Sequence, residues 1–211
     1  MASPRFARRE RHALCDLLLD LGPEAPTLCG DWRTRQLAAH LFVRERRPIG
    51  AVGIVVPPLE GLAEQAMSRI ARRDYRRLVA AVRSPGLTPW ALPPVESLAN
   101  SIEFLVHHED VRRARPGWTP RVLPEPDEDL VWRRLWPMAA LLVRRAGVPV
   151  RLARSDADAS RTLVRGEDPV TVRGRPSELA LFLLGREQVH EVDLLGPDAA
   201  VARLRAADRS F

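Results

Sequence analysis

A chain of 211 residues, 45% of them hydrophobic, is long enough for one large domain or two small ones and has ample material for a packed core. Its longest apolar runs, LALFLLG and MAALLV, fall far short of the roughly 20 residues that cross a bilayer, and the N-terminal MASPRFARRERH has charges with no apolar stretch behind them. No membrane association and no secretory leader are therefore expected, and the cytoplasm is the expected location.

The net charge of +6 invites a nucleic-acid reading. All 33 basic residues are arginine, however, spread as pairs over every predicted helix and usually beside Glu or Asp. Neither interleaved aromatics nor a recognition motif accompanies them, so a solvated surface and no nucleic-acid partner are expected. Cys15 and Cys29 stand at no metal-ligand spacing and are expected to be reduced thiols.

Residues 6–21 carry Phe6, Leu14, Leu17, Leu18 and Leu21 at helical spacing, which predicts an amphipathic helix ended by Gly22-Pro23. His12 falls on its polar side and Cys15 near its edge. The segment CGDWRTRQLAAHL follows a loop, and its Asp31 and Thr34 are N-cap residues, so a second helix should start close to Thr34 and carry His40. After Pro57-Pro58, residues 59–83 run without a breaker and predict one long third helix. The SPGLTPWALPP link is too rich in proline to be helical, and Pro93-Pro94 can open the fourth helix. A fifth, over residues 127–146, contains Pro137, which should kink or break it.

Beyond Gly147 the texture changes. VPVRLAR, TLVRG and PVTVRG alternate polar with apolar residues and predict strands. SELALFLLGRE predicts a helix with Ser177 as N-cap and Gly185 as stop; VHEVDLLG reads as a last strand, and residues near 199–207 as a short helix. The expected architecture is mostly α, with a helical bundle over residues 1–147 and a small α+β domain over 148–211.

The fourth helix holds the stretch of greatest chemical interest, SIEFLVHHEDVRRAR. Glu103 and His107 stand one turn apart, so both project from one face, with Asp110 beside them. His108 falls on the opposite side, toward solvent or a domain contact. With His40, the pair makes two imidazoles and a carboxylate, a set suited to zinc or another divalent ion with one tetrahedral position open. Spacing alone leaves a second reading open, in which Glu103 pairs with an arginine and His107 is a satisfied core histidine.

The pairing of DWRTRQLAAHL with EFLVHHEDVRRA resembles the metal-binding domain of the mycothiol-dependent maleylpyruvate isomerases, within the broader DinB-like four-helix bundles, and especially a branch described only as metal-binding proteins. The resemblance implies a DinB-like four-helix bundle followed by a small α+β domain, with His40, Glu103 and His107 as metal ligands. PSELALFLLGRE is similar to the family's C-terminal helix and the glycine-arginine after it. By the same resemblance, zinc would hold mycothiol as thiolate. Arg186 would steer a small anionic substrate, and Asp110 would orient a ligand, a helix-surface salt bridge to Arg113 being the other reading of Asp110. The expected assembly is a monomer or homodimer. A non-catalytic metal-binding or regulatory module is the alternative. The pair His108-Glu109 departs from the small or aromatic pair usual in the isomerases.

Overall fold

The computed structural model describes residues 3–46, 60–84, 86 and 93–207. These are mostly helical, with one small four-stranded sheet. Chain contacts fall into two units that part between Thr119 and Pro120.

The first unit is built from α1 (Ser3–Leu21), α2 (Thr34–Arg46), α3 (Glu60–Ala71), α4 (Tyr75–Arg83) and α5 (Pro93–Arg113). Its apolar positions at helical spacing converge on one core: Leu14 and Leu18 of α1, Leu37 and Leu41 of α2, Ile70 of α3, Leu78 and Val82 of α4, and Phe104 and Val111 of α5. Each such side chain contributes roughly 1.5–3 kcal/mol by leaving water. Gly22, at φ 78°, ends α1 where the sequence puts the stop. The start of α2 is fixed twice. The Gln36 side chain accepts a hydrogen bond from the Arg33 backbone N–H at 3.1 Å, and the Thr34 hydroxyl donates to the Gly22 carbonyl at 2.5 Å.

The long third helix expected over residues 59–83 is two helices. Asp74 caps α4, its side chain accepting from the Arg77 backbone N–H at 2.9 Å, and the chain turns between Ala71 and Tyr75. Helical periodicity runs across this turn unchanged, and an Asp followed three residues on by a backbone donor was the signal that outweighed it. Asp74→Ala should cost about 1 kcal/mol, read as a lower urea midpoint at unchanged slope. The Pro57-Pro58 break and most of the SPGLTPWALPP link lie outside the described residues.

The second unit comprises α6 (Glu125–Arg144), β1 (Val150–Arg154), β2 (Ser160–Val164), β3 (Val170–Gly174), α7 (Pro176–Leu183), β4 (Asp193–Leu195) and α8 (Asp198–Ala206). The sheet order is β2-β1-β3-β4, with β1 and β3 parallel and the outer pairs antiparallel. Alternation buries Val150 and Leu152 of β1 with Val170 and Val172 of β3.

The expected division near residue 147 therefore falls inside this unit. Helix α6 packs on α7 and β2, a tertiary preference that its own amphipathic pattern does not reveal. It also runs unbroken through Pro137. Ser177 is not an N-cap. It lies inside α7, whose N-cap is Arg175, and both its backbone N–H and its hydroxyl donate to Glu128 of α6, at 2.9 and 2.8 Å. Among the described residues no helix is long and apolar enough to cross a membrane.

Candidate metal centre

The first unit brings the three expected ligands together. His40 lies midway along α2, and Glu103 and His107 stand one turn apart on α5. Glu103 Oε1 is 3.2 Å from His40 Nε2 and 3.4 Å from His107 Nε2. The two rings meet edge to face with centroids 5.3 Å apart, and Trp32 lies against His40 at 5.2 Å. Bonds of about 2 Å at tetrahedral angles put neighbouring donors about 3.3 Å apart, so the two measured edges match a four-coordinate ion.

Asp110, fully buried one turn beyond His107, has Oδ2 2.9 Å from His107 Nδ1. A carboxylate on the far nitrogen fixes the ring and directs Nε2 toward His40 and Glu103, which is how ligating histidines are held. Arg44, one turn after His40 on α2, places Nε 3.2 Å from Glu103 Oε1 and Nη1 2.7 Å from Asn100 Oδ1. Glu103 thus meets three cationic or donor groups on one oxygen.

Burial on its own would raise the Glu103 carboxyl, but Arg44 and the hydrogen bonds from His107 and His40 hold it well below the usual carboxylate range. His107 shows the opposite balance. Burial would lower it, and the contacts to Asp110, Cys29 and Glu103 instead hold its imidazolium well above the ordinary value. Burial pushes His40 below its ordinary value, more strongly than Glu103 raises it. Without an ion, the set consists of a carboxylate, a charged His107 and a neutral His40.

His108 does not face solvent. It is buried, with Nδ1 2.9 Å from Glu10 of α1, because α1 packs along that side of α5. Its neighbour Glu109 is buried against Arg112 and Arg113 at 2.9 and 2.6 Å. Of the pair that departs from the isomerase pattern, His108 therefore ties α5 to α1, and Glu109 pairs with arginines of α5 itself. Arg186 belongs to the second unit, where Nη1 donates to the Leu184 carbonyl at 2.5 Å beside the turn that closes α7.

Sequence reasoning passed over Cys29 and Arg44. Cys29 donates its thiol to Asp110 Oδ2 at 3.1 Å and lies 3.7 Å from His107 Nδ1, far in sequence from both. Only the folded loop before α2 creates that contact. Arg44 was within reach of the sequence, since it stands four residues after His40 on one helical face. No family model matches the chain, and comparisons with curated proteins and with solved structures return no match.

Proposed function

We propose that this chain is a DinB-like metal-binding protein that holds a divalent ion, zinc, on His40, Glu103 and His107, and acts on a low-molecular-weight thiol such as mycothiol together with a small anionic substrate, as a transferase or isomerase. The observation that carries the reading is the convergence of both Nε2 atoms on Glu103 Oε1 at 3.2 and 3.4 Å. A zinc ion held there supplies a soft electrophile that keeps a thiol deprotonated at neutral pH, where an unperturbed thiol of pKa about 8.5 is mostly protonated. Asp110 keeps the His107 ring aimed and fixes which nitrogen is left to bind. Arg44 sets a permanent positive charge against the same carboxylate and can balance an anionic group brought to the site.

One observation favours the metal-free reading that the spacing leaves open, in which Glu103 pairs with an arginine and His107 is a satisfied core histidine. Arg44, His40 and His107 already satisfy the Glu103 carboxylate without an ion, as a buried ion-paired cluster would. Elemental analysis after chelator-free purification separates the two. Zinc should be present in at least equimolar amount in the native chain and nearly lost in His107→Ala, while His108→Ala keeps it. A native chain free of zinc that fails to take it up on addition leaves only the ion-paired cluster.

A further inference from the structure

His107 faces donors on both of its ring nitrogens. Nε2 looks to His40 and Glu103, and Nδ1 looks to Asp110 and Cys29. Cys29, His107 and Asp110 offer a sulfur, a nitrogen and an oxygen that all lie within 4.8 Å of one another, just as His40, Glu103 and His107 do. From this geometry we infer a second divalent-metal site on Cys29 Sγ, Asp110 Oδ2 and His107 Nδ1, joined to the first through the His107 ring. The inference rests on the first set binding an ion, as proposed above.

The second set is built into the fold. The loop that carries Cys29 is tied to α5 by the Leu28 backbone N–H, which donates to the Asp110 carbonyl at 3.1 Å. Its own turn is closed by the Cys29 backbone N–H donating to Thr27 Oγ1 at 3.1 Å, and by Thr27 Oγ1 donating to the Trp32 carbonyl at 2.8 Å. The cysteine sulfur is thereby held over a fully buried carboxylate. Sulfur and nitrogen 3.7 Å apart fit two ligands of one tetrahedral zinc, whose bonds of about 2.3 and 2.0 Å put them about 3.5 Å apart. The carboxylate edges, at 3.1 and 2.9 Å, are hydrogen-bond distances that need open only slightly.

The second set supplies the charge its ion needs, since a divalent ion bound with release of two protons leaves the net charge of the cluster unchanged. Binding the second ion releases the Cys29 thiol proton and the last ring proton of His107 to solvent, and the thiolate selects a borderline or soft metal such as zinc or cobalt over magnesium or calcium.

Cobalt titration of the metal-free full-length chain tests this. Two equivalents should bind, and the second should develop the intense near-ultraviolet thiolate-to-cobalt band. Cys29→Ser should abolish that band and lower the capacity to one equivalent, with the visible bands of the His40 set retained; Asp110→Asn, as a second variant, should weaken the second equivalent by at least tenfold. Far-ultraviolet dichroism of the metal-free variants should match the parent. One equivalent without a thiolate band, lost in His40→Ala and untouched by Cys29→Ser, overturns the second site while the first stands. One equivalent with a thiolate band that survives His40→Ala overturns the first site and the bridged pair together.

Discussion

Zinc affinity of the metal-free chain is expected to rise about tenfold for each pH unit above 6.5, the ordinary histidine value, until the elevated pKa of His107 is passed. The ion and the proton compete for His107 Nε2, and the protein holds that proton more firmly than water does, through Asp110, Cys29 and Glu103. His40, pushed below 6.5 by burial, is already neutral in this range, and Glu103, held well below 4.5, is already ionised. Filling the first set therefore expels one proton. Calorimetric titration in buffers of different ionisation enthalpy, with zinc below one equivalent, would count it. A flat pH profile, or two protons released at this first step, would mean that the histidines are charged otherwise than their surroundings dictate.

The same groups set the stability of the metal-free chain. The raised His107 pKa contributes stability that is complete below 6.5 and is lost as pH climbs through its folded value. The depressed Glu103 pKa contributes stability that is complete above 4.5 and is lost as pH drops through its folded value. Without metal, these two groups together favour the window between 4.5 and 6.5, and saturating zinc should move the optimum upward.

Arg11→Met should cost about 3–5 kcal/mol of stability, or on the order of 10 °C in Tm. Arg11 is 1% exposed, yet it carries a full charge into the core. Its guanidinium binds both oxygens of Glu45, at 2.7 and 2.6 Å, and the Val82 carbonyl at 2.8 Å, with Phe104 4.2 Å beneath it. Removing it strands the Glu45 carboxylate, to which Asn100 alone still donates among these groups, at 2.9 Å. The double variant Arg11→Met with Glu45→Leu should recover much of the loss, because the carboxylate left behind is the costly element. If the double variant is as unstable as the single, the packing of the arginine and not its charge holds these helices.

Much of this fold was legible. Gly22 and Gly185 mark real ends, at φ 78° and 82°, and the strands of the second unit lie where polar and apolar residues alternate. The ligand face of α5 was legible too, since Glu103 and His107 need only helical spacing to meet. What escaped depends on contacts distant in sequence. His108 was placed by its angle on an isolated helix, whereas Glu10 of α1 covers it. Cys29 reaches Asp110 only through the loop that folds back on α5. The membership of α6 in the second unit follows from its partners, and nothing within residues 125–144 announces them.

The Glu128 carboxylate shows what such distance means for a short helix. A helix that supplies its own cap can form as soon as its residues are made. The first turn of α7 instead has Ser177 N–H and hydroxyl satisfied by a group 49 residues earlier, on α6. Bringing those ends together costs loop entropy, and α7, at eight residues, is too short to persist alone, so the partner of its first turn comes from tertiary packing and not from its own sequence. The start of α7 is thus satisfied only with α6 beside it.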